Sequence, residues 1–232
     1  MRQVFLDTET TGLDVAAGDR IVEIGCVELV NRRLTGRSLH HYFNPGRPNH
    51  VDAVKVHGLS DEFLAGKPLF DHVVDELIDF VREAEVIIHN AVFDSSFLDS
   101  ELRRIGREPI VRHVSRITCS LMMARTAYPG KANSLDALCR RFEVDNSARE
   151  KHGALLDAGL LAEVYLRMTR GQESLGIETA EEIAELAARI VDFSSLPLLV
   201  LEADEDEAIA HAAVLADIAR ANRGRVVWAV PA

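Results

Sequence analysis

The chain has 232 residues, 47% of them hydrophobic and 27% charged, and a formal net charge of −11. That composition suits one good-sized globular domain plus an appendage, and it excludes an autonomous, basic nucleic-acid binder, whose affinity comes largely from displacing counterions on phosphates. No apolar run approaches the roughly 20 residues needed to span a bilayer.

The three cysteines, Cys26, Cys119 and Cys139, are far apart and form no CxxC. They fit reduced thiols in a cytosol better than a disulfide framework or a zinc site. Met1-Arg2-Gln3 leads straight into a strand with no signal-peptide pattern, so a cytoplasmic protein is expected.

Residues 2–7 read as a buried strand running into Asp7-Thr8-Glu9-Thr10-Thr11-Gly12. Strand side chains alternate with period two, so Asp7 and Glu9 project from the same face. Two carboxylates held that close repel each other unless a cation sits between them. Hard divalent cations such as Mg²⁺ and Mn²⁺ prefer such oxygen ligands. Taken alone, the stretch reads equally well as a turn starting at Asp7 with Glu9 on the solvated surface.

Ile21–Val30 alternates as a second strand, and 38–43 reads as a third. Asn31-Arg32-Arg33 and Gly36 supply turn chemistry between them, which predicts an antiparallel meander. Residues 45–48, bounded by two prolines, are loop. Pro68 opens a helix with Val73, Leu77, Ile78 and Val81 at helical spacing.

Val86-Ile87-Ile88 is a short buried strand, followed by a helix through Phe97, Leu98, Leu102 and Ile105 that Gly106 stops. Asp94, in His89-Asn90-Ala91-Val92-Phe93-Asp94, stands where that strand's C-terminal edge passes into the helix, the usual location of active-site groups in open sheets. As a lone residue it reads as a helix cap. A strand at 114–118, a helix at 121–126 and a helix capped by Ser134 and carrying Leu135, Leu138 and Phe142 come next.

A long helix then runs from about Gly153 to Thr169. Positions five apart on an ideal helix lie roughly 140° around the axis, so His152 and Asp157 cannot share a helical face. Asp157 belongs on the inward side of the first turns, and His152 on a mobile approach with Gly153 as hinge. Strands first, then alternating strand and helix, point to an α/β or α+β sheet covered by helices.

After Thr169 the texture changes. Arg170-Gly171-Gln172-Glu173-Ser174-Leu175-Gly176-Ile177 is polar, Gly-punctuated and reads as a linker. A helix at 179–191, a strand at 198–201, a helix at about Glu205–Ala221 and a strand at 226–230 follow. Residues 178–232 hold 11 acids and 4 bases, a net of −7, which leaves −4 for residues 1–177.

Taken together, Asp7, Glu9, Asp94, His152 and Asp157 in that order resemble the DEDDh family of 3′→5′ exonucleases, and within it the proofreading epsilon type of bacterial DNA polymerase III. The similarity runs through Leu6-Asp7-Thr8-Glu9-Thr10-Thr11-Gly12, Val30-Asn31-Arg32-Arg33-Leu34-Thr35-Gly36 and Val56-His57-Gly58-Leu59. It continues in Ile88-His89-Asn90-Ala91-Val92-Phe93-Asp94, Asn133-Ser134-Leu135-Asp136-Ala137-Leu138-Cys139 and His152-Gly153-Ala154-Leu155-Leu156-Asp157.

The resemblance implies an α/β, ribonuclease-H-like mixed sheet flanked by helices over 1–170, with a C-terminal partner-docking tail over 178–232. It implies two divalent cations, Mg²⁺ or Mn²⁺, held by Asp7, Glu9 and Asp157, with Asp94 completing the cluster, partly through water. In such sites the ions stand about 3.5–4 Å apart and clamp an in-line displacement at phosphorus. His152 would be the base, since imidazole suits proton removal near neutral pH. Asp7, Glu9 and Asp157 would also meet the substrate, with His57 near the terminal nucleotide and Asp52 as a further contact, although residues 49–54 depart from the family pattern.

Gln172-Glu173-Ser174-Leu175-Gly176-Ile177 resembles, without its aromatic ending, the short motif by which replication proteins bind the sliding clamp; a plain linker reads nearly as well. Residues 200–228 resemble the segment that attaches epsilon to the polymerase catalytic (alpha) subunit. The implied activity is a proofreading exodeoxyribonuclease releasing nucleoside 5′-monophosphates from single-stranded or mismatched 3′ ends. An RNA-trimming enzyme of the same fold, and a mainly structural replicase subunit, are the alternatives.

Overall fold

The computed structural model describes residues 1–147, 151–169 and 204–221. The chain divides into two units, Met1–Ser174 and Leu175–Ala232.

The first unit is built on a five-stranded sheet in the order β3-β2-β1-β4-β5, comprising β1 (Arg2–Thr10), β2 (Ile21–Val30), β3 (Arg33–Tyr42), β4 (Glu85–Ile88) and β5 (Arg116–Cys119). β1 to β3 form an antiparallel meander, and β4 and β5 add in parallel to the other side of β1. The apolar run of β1 is continuous because both faces of the sheet are covered. Val4 and Leu6 turn to one core, with Leu77 of α3 (Val74–Val81) and Phe97, Leu98 and Leu102 of α4 (Ala91–Arg104). Phe5 turns to the other, with Ala124 of α5 (Ser120–Ala127), Leu138 of α6 (Leu135–Arg141) and Leu160, Leu161 and Val164 of α7 (Ala154–Met168).

Several boundaries differ from the sequence reading, each for a local reason. β1 runs on through Thr10, so both of its carboxylates lie on a strand paired with β2 and not in a turn. The β2–β3 turn is the two residues Asn31 (φ 49°) and Arg32 (φ 62°), a left-handed pair whose twist matches a hairpin. Gly36 (φ 82°) is not part of it. It lies inside β3, which starts five residues earlier than expected, opposite the register shift between Val27 and Leu29; there three residues of β3 (35–37) stand against one of β2, and a bulge tolerates the two extra residues. The helix expected from Pro68 starts at Val74, after a 3₁₀ turn at Phe70–His72. β5 is displaced to Arg116–Cys119 because it pairs with β4, residue for residue, over β4's four positions.

Asp52 and His57 lie on a short helix, the seven-residue α1 (Val51–His57), closed by Gly58 at φ 77° and followed by α2 (Asp61–Ala65), which the Ser60 hydroxyl caps by accepting from Phe63 N–H.

β2 passes directly under the first turn of α7 at Gly25. A Cβ there would stand 2.2 Å from the Leu155 nitrogen and 2.3 Å from the Ala154 carbonyl carbon. Backbone atoms cannot rotate aside, so Gly25→Ala is expected to lift that turn and destabilise the fold by about 3 kcal/mol, the upper part of the overpacking range. Denaturant titration measures it. A loss under about 0.5 kcal/mol, the scale of surface substitutions, would mean that α7 yields without cost.

In the second unit Glu205–Ala221 is helical as expected. Asp204 and Glu207 close its start reciprocally, Glu207 N–H to Asp204 Oδ1 at 2.8 Å and Asp204 N–H to Glu207 Oε2 at 3.1 Å, a capping box. The linker at 170–177, the helix at 179–191 and the strands at 198–201 and 226–230 lie outside the described residues.

Candidate active site

The period-two geometry of β1 places Asp7 and Glu9 with Phe5, on the face that α7 covers. Thr8 points the other way, toward α4. Its N–H and hydroxyl both donate to Asp94 Oδ1, at 3.1 and 2.7 Å. Asp94 is therefore not a helix cap: Asn90, at φ 72°, is the N-cap of α4, and Asp94 lies a turn inside, held by the strand. α7 brings the buried Asp157 within its first turns.

His152 precedes that helix, so the rule for helical faces does not bind it, and its Nδ1 lies 3.3 Å from Asp157 Oδ2. Gly153 has an extended φ of −151° that any residue adopts, and the backbone N–H of His152 is tied to the Val56 carbonyl of α1 at 3.1 Å.

Asp7, Glu9, Asp94, His152 and Asp157 thus line one cleft of about 450 Å³. One potential ligand atom from each of Glu9, His152 and Asp157 lies within 4.8 Å of the others. Glu9, Asp94 and Asp157 are buried and Asp7 half-buried. Burial pushes the Asp94 carboxyl well above the usual carboxylate range, against the downward pull of the Thr8 hydroxyl and N–H. Several acids buried together are costly without a compensating positive charge. The donor set is rich in carboxylate oxygen, which is what a hard divalent cation takes. The residues fit such an ion.

A second pocket, of about 520 Å³, adjoins this cleft through Thr8, Glu9 and Phe93, with Gly12 and Leu13 on one side and α1 on the other. His57 is buried at the end of α1, its Nδ1 accepting from Leu59 N–H at 3.0 Å. Burial pushes its pKa down; the Thr10 backbone pulls the other way, though it stays outside hydrogen-bonding geometry with the buried Nε2. A neutral ring accepting at Nδ1 carries its proton on Nε2. Asp52 is not brought to the acids. Its side chain is 91% exposed on the outer rim of this second pocket and paired with Lys55 at 2.8 Å.

Two contributors have no signature in sequence spacing. Thr8 is one. Asp19 is the other: it is buried, accepts from the Thr11 hydroxyl and Asp14 N–H, each at 3.0 Å, and pairs with Arg47 and His50, each at 3.1 Å. Burial works to raise its pKa, but these partners together hold the carboxyl below its usual range. Asp19 thereby ties the Thr11–Gly12 wall of the second pocket to the loop before α1, so closely that a Cβ on Gly12 would stand 2.3 Å from its Oδ2.

The exonuclease (RNase T) family model matches residues 4–165. A DNA polymerase III subunit epsilon from Pasteurella multocida is 47% identical over 98% of this chain and 93% of its own length. The subunit of that name from Escherichia coli K12 is 46% identical over 98% of this chain and 97% of its own. Among solved structures, the nuclease domain of 3′hExo, a DEDDh family member bound to rAMP, is similar with a TM-score of 0.60 at 16% identity, over 73% of this chain and 92% of that one. That last likeness is one of fold.

Proposed function

The chain belongs to the exonuclease family and, within it, to the epsilon subunits of bacterial DNA polymerase III, and from that premise we propose that its cleft hydrolyses the terminal phosphodiester of DNA 3′ ends, releasing nucleoside 5′-monophosphates to proofread synthesis. The observation that carries this reading is the meeting of four carboxyl groups and a histidine, drawn from β1, α4 and the start of α7, in one cleft. Relatives match across the tail as well as the catalytic part, over 98% of the chain. That favours the replicase reading over an RNA-trimming enzyme of the same fold.

Asp7, Glu9 and Asp157 would hold two divalent cations, Mg²⁺ or Mn²⁺, with Asp94 fixed beside them by Thr8. When bound, such ions supply Lewis acidity to the phosphoryl group and to water. His152 takes the proton from the attacking water. Its Nδ1 faces Asp157, which favours the tautomer whose Nε2 is the base. The second pocket receives the terminal nucleotide between Gly12 and α1, where His57 closes the inner end and Asp52 the outer rim. Asp7, Glu9 and Asp157 meet the substrate through its scissile phosphate.

A chain at −11 has little general attraction for a polyanion. Docking to the polymerase catalytic subunit through 178–232 replaces that affinity with an effective concentration, about millimolar for short flexible linkers. Residues 172–177 are the candidate clamp contact. The setting is the bacterial cytoplasm.

Truncation after Thr169 is expected to preserve digestion of free single-stranded DNA while abolishing co-elution with the catalytic subunit in gel filtration. It should also slow removal of mismatched 3′ ends when polymerase is dilute. Co-elution of the truncated chain would remove the docking role from the tail.

A further inference from the structure

The cleft is not walled by acids alone. His89, at the end of β4, and Leu121 and Arg125 of α5 line it too. Leu121 and Arg125 are four apart and so share one face of the helix. α5 is held firmly there, because Ser120 and Ala124 are fully buried and the Ser120 hydroxyl lies 3.0 Å from His89 Nδ1.

Several arginines of this unit are committed to the fold. Arg20 binds both oxygens of Glu101, Arg116 pairs with Glu85, and Arg141 donates to Asn133. Arg125 is exposed and, among the described residues, closes no hydrogen bond or ion pair. Its charge is nevertheless felt in the site. Burial chiefly, and Arg125 in addition, push the His89 pKa down, against an upward pull from the Asn133 backbone.

A guanidinium presents a rigid donor fork that matches phosphate oxygens. In a chain of net charge −11 it stands, uncommitted among the described residues, on the wall of the cleft where a polyanion is cut. We propose that Arg125 binds a non-scissile phosphate of the DNA strand, upstream of the terminal nucleotide, and so holds the strand in register while the acids act on the last linkage. This rests on the exonuclease reading of the cleft. It assigns the residue a part in binding and none in bond cleavage.

The test uses the full chain, as wild type, Arg125→Ala and Arg125→Lys, on two substrates. One is a single-stranded oligodeoxyribonucleotide. The other is the p-nitrophenyl ester of thymidine 5′-monophosphate, which has a scissile phosphodiester and no second phosphate. Arg125→Ala is expected to raise KM for the oligonucleotide about tenfold, the scale of one charge-assisted hydrogen bond, with kcat nearly unchanged, as for lost uniform binding.

The salt dependence of log KM should fall by about 0.7, one phosphate contact on a single strand, and Arg125→Lys should restore most of that slope. On the ester the variants should match wild type. A neutral methylphosphonate at the contacted linkage should cost the wild type the same factor and Arg125→Ala nothing further.

An unchanged KM and salt slope for Arg125→Ala, or an equal loss on the ester, would overturn the inference while leaving the exonuclease reading intact. A wild-type protein inert on both substrates would overturn both.

Discussion

Asp157→Asn is expected to remove hydrolysis, lowering kcat/KM by roughly 10³-fold or more. The expectation follows from several kcal/mol of charge stabilisation at the metal site, at about 1.36 kcal/mol per decade of rate. The substitution keeps the shape of a buried side chain that packs in the first turns of α7, so the fold should survive. Stability without metal should hold or rise, because one member of a repelling acidic cluster becomes neutral. Asp7→Asn and Glu9→Gln should behave alike.

Thermal melts with and without Mn²⁺ separate site from fold. A ligand that binds only the native state stabilises it by RT ln(1 + [L]/Kd), so the wild type should gain from the metal and the variants should gain much less. A wild type indifferent to Mn²⁺, or an Asp157→Asn variant that still digests primers, would sink the assignment of these acids as ligands.

The parts of this site that were legible in the sequence are those governed by local periodicity. Asp7 and Glu9 share a face because strands alternate, and β1 reads as central because Val4, Phe5 and Leu6 leave no polar side. Asp94 could be placed at a strand's C-terminal edge, but its partner could not, since the Thr8 contact spans 86 positions. His152 shows the opposite failure. A rule valid inside helices kept it away from Asp157, while the chain meets that residue from outside the helix.

α1 was invisible for a related reason. It has seven residues, no apolar stripe and mostly exposed valines, and it lies against the His152 segment through a backbone bond to Val56. Propensity alone does not carry so short a helix. Asp19 gives no signal at all, because its partners come from two loops and become neighbours only once the sheet has formed.

His152→Ala is expected to lower kcat by roughly 10²–10⁴, the scale of a general base. The geometry leaves two chemical roles to separate. A potential ligand atom of His152 lies within 4.8 Å of those of Glu9 and Asp157, which a metal ligand would also satisfy. Against that, its Nδ1 faces Asp157, leaving Nε2 as the proton acceptor, and its backbone is pinned to α1, so the ring is held without an ion.

If His152 is the base, the Mn²⁺ concentration for half-maximal activity should stay the same in His152→Ala. Added imidazole should then restore part of the rate, because the wild-type side chain is 46% exposed and its space is open to a small buffer molecule. If it is a ligand, the requirement for Mn²⁺ should rise and excess metal alone should rescue the variant. Titrating the variant's activity with Mn²⁺, with and without imidazole, decides between them. A wild-type rate at neutral pH under either condition would remove His152 from the chemistry altogether.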